Sequence, residues 1–185
     1  NVNLRPYYAE GSKTLAFEVA EQLGWELPDA VVAPIASGAM FSKVHQGFGE
    51  LLELGLVGGD RPRLIGGQAQ GCSPVALAFA EGARVKPVRP ETIARSLAIG
   101  SPADGDLAVS TAVSSGGSIH AVAEDEIAEN VALLAQTTGV FGETAPGVTV
   151  GALRQAVRRG EVGKDDRVVL LVTGDGLKTP GLVAD

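Results

Sequence analysis

The stretch Ala30-Val31-Val32-Ala33-Pro34-Ile35-Ala36-Ser37-Gly38-Ala39-Met40 decides the fold. Its first six residues are apolar without a break, and they lie between Pro28-Asp29 and the small-residue turn around Gly38. A run that is apolar at every position has to be covered on both faces, so it reads as a buried strand of a parallel sheet. A helical pattern follows at once over residues 38–54 and stops at Gly55. Strand, tight turn and helix in that order make up the front half of a βαβ unit.

Working outward, residues 12–23 place Leu15, Ala16, Val19, Ala20 and Leu23 at helical spacing, with Ser12 as N-cap and Gly24 as stop. Downstream the spacing predicts strands over 63–67, 118–122 and 167–172. It predicts helices over 73–80, 91–99, 106–114, 125–138 and 143–159. Glu124, Asp125 and Glu126 stand where a helix N-terminus favours anions. Strand and helix alternate almost throughout, without a repeat or a linker. The expected fold class is therefore α/β: a three-layer αβα domain over 1–185, with a mostly parallel sheet and right-handed crossovers.

Composition narrows the function. Of 185 residues, 45% are hydrophobic and 20% charged, which excludes a disordered tail. Fifteen basic against 22 acidic residues leave a net charge of −7, so no basic face for nucleic acid is expected. One cysteine and two histidines are too few for a structural zinc site. The single Cys72, and no apolar run of about 20 residues, point to a cytoplasmic protein without a membrane span.

Ligands of open α/β sheets bind beyond the carboxyl ends of the strands. Two such ends carry small or hydroxyl-bearing residues. At Ala36-Ser37-Gly38-Ala39-Met40 the backbone N–H groups and the helix N-terminus suit a phosphate, with Ser37 as a further donor. An ordinary tight turn would use the same residues, and spacing alone does not separate the two. At Thr173-Gly174-Asp175-Gly176 a hydroxyl leaving a buried strand suits a heterocycle nitrogen, or equally its own turn. Asn3 and Arg5 of the opening segment suit an anionic substrate, and a solvated loop packed through its tyrosines would use the same residues. Glu143 is a first-turn acid that could also face the same crevice. Cys72 reads as a small buried side chain. A hydrolase triad of Ser37, Asp104 and His120 needs a nucleophile elbow, and bulky Ile35 breaks that pattern.

Several blocks resemble the threonine synthases, pyridoxal-phosphate enzymes of the tryptophan-synthase-β-like fold (fold type II). They are residues 3–18 (NLRPYYAEGSKTLAFE), the turn from Pro34 to Met40, Gln68-Ala69-Gln70-Gly71-Cys72-Ser73-Pro74, Ser96-Leu97-Ala98-Ile99-Gly100, Ser115-Gly116-Gly117 and Thr173-Gly174-Asp175-Gly176-Leu177-Lys178. The resemblance implies that Ala36, Ser37, Gly38, Ala39 and Met40 cradle the phosphate of pyridoxal 5'-phosphate. It implies that Thr173 bonds the pyridine nitrogen, a neutral hydroxyl that would not hold the ring protonated. Asn3 and Arg5 would meet the substrate phosphate. The implied reaction is O-phospho-L-homoserine plus water to L-threonine and phosphate, by β,γ-elimination and replacement.

One family motif is missing. The Schiff-base lysine of a Ser-Phe-Lys-Asp-Arg-like segment has no counterpart, since Lys13, Lys43, Lys86, Lys164 and Lys178 stand in other contexts. Together with an opening at Asn1, this reads as the C-terminal portion of a longer two-domain enzyme, inactive alone. Threonine dehydratase, cysteate synthase and a non-catalytic ligand- or partner-binding domain are the alternatives. Oligomeric state stays open, a homodimer included.

Overall fold

The computed structural model describes residues 5–182. Four parallel strands, β1 (Ala30–Pro34), β2 (Arg63–Ala69), β3 (Ser118–Val122) and β4 (Val168–Leu170), form one sheet in the order β3-β2-β1-β4. The chain moves from β1 to β2 to β3 in one direction, then returns to lay β4 on the other side of β1. The ladder runs Val31 beside Leu64 on one flank and beside Val169 on the other. Leu171 N–H extends it by donating to the Val32 carbonyl (2.9 Å).

Strand alternation divides the core between two faces. Val31 and Ala33 point to one side, where Phe41, Val44 and Phe48 of α3 (Ala39–Glu53) pack with Ala16 of α2 (Thr14–Gln22). Val75 and Ala76 of α4 (Pro74–Glu81) and Ala108 and Ala112 of α5 (Gly105–Ser114) complete that layer. Ala30 and Val32 point the other way, onto Ala145, Val148, Ala152 and Ala156 of α7 (Thr144–Arg158), with Ile127 of α6 (Glu124–Thr138) behind. Small residues let α7 sit close. A Cβ on Gly67 would come 3.0 Å from the Val148 carbonyl, and one on Gly147 2.6 Å from the Ile127 carbonyl. This is the expected αβα sandwich. Among the described residues no helix is long and apolar enough to cross a membrane.

Four local expectations need correction. The opening segment holds a short helix, α1 (Pro6–Gly11), with Pro6 in the first-turn position that tolerates a missing N–H. Buried Lys13 fixes it by reaching Glu10 and Glu50 at 2.6 Å each. Helix α2 starts at Thr14, and Ser12 does not cap it. The helix expected over 91–99 shrinks to a single 3₁₀ turn, Arg95–Leu97. Its backbone is bonded elsewhere: Glu91 N–H donates to the Gly71 carbonyl (2.8 Å), and Ile93 N–H and the Thr92 hydroxyl donate to Glu124 (2.9 Å each). Finally, β4 covers three residues rather than six. All three are half-buried because the strand is the outermost of the sheet.

Candidate functional site

The strand order creates one place where neighbouring strands send their chains in opposite directions, between β1 and β4. Ligands of open α/β sheets lodge at such a point, outside the carboxyl ends. A cavity of about 280 Å³ lies there, lined by Ala36, Ser37, Gly38 and Met40 from the β1 side and Thr173, Gly174 and Lys178 from the β4 side. Its size approaches the roughly 300 Å³ at which small-ligand pockets begin.

On the β1 side, the first main-chain bond of α3 is Ser42 N–H to the Gly38 carbonyl (3.1 Å). The N–H groups of Ala39, Met40 and Phe41 therefore precede the helical ladder, at the positive end of a 15-residue helix. Ser37 Oγ accepts a long bond from Ala39 N–H (3.4 Å) and keeps its own proton to give. The turn is braced from behind. Asp104 N–H donates to the Ser37 carbonyl (2.9 Å). Buried Gln68 donates to the Ile35 carbonyl (3.3 Å) and accepts from Val75 and Ala76 N–H (2.8 and 3.1 Å).

On the β4 side, Gly174 has a φ of +88°. Residues Phe141 to Glu143 hold its turn through a bridge between Gly142 and Asp175, with Gly176 N–H donating to Phe141 (3.0 Å) and Glu143 N–H to Gly174 (3.2 Å). Glu143 is thereby drawn onto the wall at the N-cap of α7, only 6% exposed.

Of the residues predicted from sequence, Ala36, Ser37, Gly38, Met40 and Thr173 share this one cavity. Ala39 lies behind its wall, 2% exposed. Glu143 does face the crevice. Arg5 stands exposed at the N-cap of α1, while Tyr8, within the helix it caps, lines the cavity. Asn3 lies outside the described residues. Tyr8, Ser96, Leu97, Ala145 and Lys178 are wall residues that the sequence reading did not single out. Tyr8, Ser96, Leu97 and Lys178 lie in motif blocks quoted above, and that was the signal for them.

The hydrolase triad does not assemble. Asp104 adjoins Ser37, but His120 is buried on β3 within a separate cluster, its Nε2 2.9 Å from both Ser118 Oγ and Glu161 Oε2. Burial pushes the His120 imidazole below its ordinary pKa, against the upward pull of Glu161. Cys72 is buried as expected, and burial, followed by the charge of Glu124, raises its thiol pKa. No group of three or more potential metal ligands gathers among the described residues.

A family model described as pyridoxal-phosphate dependent enzyme matches residues 1–174. The threonine synthase of Methanocaldococcus jannaschii is 37% identical over 180 residues, which are 96% of this chain and 44% of that protein. That of Methanosarcina acetivorans is 36% identical over 185 residues, 99% of this chain and 45% of the relative. The chain spans about half the length of these curated relatives. Among solved structures, an L-serine ammonia-lyase from the fungus Rhizomucor miehei superposes with a TM-score of 0.75 at 21% identity, covering 92% of this chain and 53% of the other. Threonine deaminase isoform 2 of Solanum lycopersicum gives 0.73 at 20% identity, covering 96% and 47%. These two likenesses concern the fold.

Proposed function

Because the chain belongs to the pyridoxal-phosphate dependent enzyme family, whose cofactor is pyridoxal 5'-phosphate, we propose that its cavity is part of a threonine synthase active site. The observation that carries this reading is the meeting of the α3 N-terminus and Thr173 in one cavity at the β1/β4 switch point. The residues fit a phosphorylated pyridine ring. The N–H groups ahead of the α3 ladder and the Ser37 hydroxyl offer donors to a phosphate. Gly38 lets Asp104 close in behind this turn and brace it, since a Cβ there would run into the Asp104 carbonyl. Across the cavity the Thr173 hydroxyl would bond the ring nitrogen.

When bound, the cofactor supplies an electron sink for carbanion chemistry on an amino acid. The chain's own residues bind and orient. Lys178 adds a cation to the cavity wall for an anionic ligand, and Tyr8 lines the cavity from α1, the helix whose N-cap is Arg5. In this reading Arg5, with Asn3, meets the phosphate of O-phospho-L-homoserine, and the products are L-threonine and phosphate in a cytoplasmic biosynthetic step. The anchoring amine is not supplied by this chain. Lys13 is tied up between Glu10 and Glu50, and Lys43 donates to Gln46 (2.8 Å). Lys178 lines the cavity from the β4 side, close to the Thr173 turn, and does not stand in a Schiff-base motif of the family's kind. The chain alone is therefore inactive.

The test is calorimetric titration of the chain, with pyridoxal phosphate present, by O-phospho-L-homoserine, L-serine and O-phospho-L-serine, alongside an assay for released phosphate. Tightest binding of O-phospho-L-homoserine without turnover is expected. Preference for serine would move the reading to the dehydratases, and steady threonine formation would refute the inactivity.

A further inference from the structure

Helix α1 reaches the cavity through Tyr8, yet little of the helix itself is buried. Of its six residues only Ala9 is, and Arg5 makes no side-chain cap at its start. A helix this short has no stability of its own in water, and one buried methyl group adds little to it. Something else must hold Tyr8 at the cavity wall. Lys13, two residues beyond the helix, is only 4% exposed although it carries a charge. Its ammonium donates to Glu10 Oε2 in the last turn of α1 and to Glu50 Oε1 on α3, at 2.6 Å each. Gln46 Nε2 also donates to Glu50 Oε1 (3.1 Å) and steadies that carboxylate from within α3. The backbone is seated as closely as the side chain. A Cβ on Gly47, one turn before Glu50, would lie 3.1 Å from the Lys13 carbonyl and 2.9 Å from Ala16 Cβ.

Resting on the substrate reading above, we propose that Lys13 is a positioning residue for the amino-acid substrate: its clamp fixes α1 on α3, and with it Tyr8 and Arg5. Glu10 and Glu50 are both acids, so without the lysine between them they repel. Helix α3 is also the element whose N-terminus forms one corner of the cofactor site. The clamp therefore sets the substrate wall in register with that corner. Neither cofactor corner depends on α1. The turn at Ser37 is braced by Asp104 and Gln68, and the turn at Gly174 by Phe141 to Glu143. Loss of Lys13 thus separates the two ligands: the amino acid loses its wall, and the cofactor keeps both of its corners. A lysine that served only global stability would weaken both or neither. The Glu10 and Glu50 side chains are 59% and 35% exposed, so water can solvate both carboxylates once the lysine is replaced. No buried charge is then stranded, and the fold survives the change.

The experiment titrates this chain with 4-deoxypyridoxine 5'-phosphate, a cofactor analogue without the reactive aldehyde, and then titrates the saturated chain with O-phospho-L-homoserine. In Lys13→Met, with α1 docked in roughly a tenth of the molecules, the O-phospho-L-homoserine dissociation constant should rise about tenfold. The constant for the analogue should stay at its wild-type value. In the ¹⁵N-labelled variant the amides of Tyr7 to Gly11 should lose their helical positions, while those of Ser37 to Phe41 keep theirs. Glu50→Ala cuts the tie to α3 from the other side and should weaken O-phospho-L-homoserine in the same selective way. It carries the test if Lys13→Met does not fold. Unchanged binding of both ligands, or equal weakening of both, overturns the role of Lys13 and leaves the active-site reading standing. A wild-type chain that binds the analogue but not O-phospho-L-homoserine overturns the substrate reading and this inference with it. A wild-type chain that binds neither overturns the cofactor reading as well.

Discussion

Gly38 has a φ of +94°, and a Cβ there would run into the carbonyl of Asp104 and lie 3.2 Å from Ala108. Both the conformation and the close approach of α5 demand glycine at the point where β1 turns into α3. Gly38→Ala should cost at least about 2 kcal/mol, from the left-handed conformation and the clash together. It should also displace the N–H groups of Met40 and Phe41 and abolish binding of a pyridoxine phosphate. Urea unfolding and ligand titration of the same variant check both halves, and a variant of native stability that still binds would contradict the account. At this scale the sequence was partly legible. A glycine between a serine and a helix marked the turn, while nothing local showed that Asp104 closes in from a distant loop.

At the scale of elements, the parts placed by periodicity are those whose packing and backbone bonding agree. Helix α3 buries Phe41, Val44 and Phe48 on one stripe, as its spacing requires. The segment 91–99 has helical composition, but Gly71 and Glu124 take its backbone bonds, and these partners lie some 20 and 30 residues away along the chain. Two histidines make the elements sensitive to acid. Burial, and then the charge of Arg61, push His45 on α3 down to about 4, and burial lowers His120 on β3. In the unfolded chain both titrate near 6.5, so between those values the unfolded chain holds more protons. Stability is therefore full above about 6.5, declines as pH falls towards 4, and loses nothing more through His45 below that. Depressed carboxylates such as Glu50 begin to add their losses near the ordinary value of 4.5 and continue below it. Unfolding free energies across this window should slope less in His45→Gln than in the wild type. Equal slopes would remove His45 from the explanation.

The whole molecule depends on one feature that no segment of sequence announces: among the described residues, the last strand, β4, lies beside the first, β1. Alternation of strands and helices predicted the layers, and the small residues at two strand ends marked candidate corners. The order β3-β2-β1-β4 is what brings those corners to one cavity. It also brings in Tyr8, Ser96 and Lys178, whose chemistry has no spacing pattern to betray it. Pairing of distant strands is set by how every helix covers the sheet, so it becomes visible only in three dimensions. The central claim is that both corners grip a single ligand. Amide resonances of the ¹⁵N-labelled chain, followed during titration with 4-deoxypyridoxine 5'-phosphate, test it most directly. Residues Ser37 to Phe41 and Thr173 to Gly174 should shift together with one dissociation constant. Shifts confined to one corner, or two groups with different constants, would contradict it.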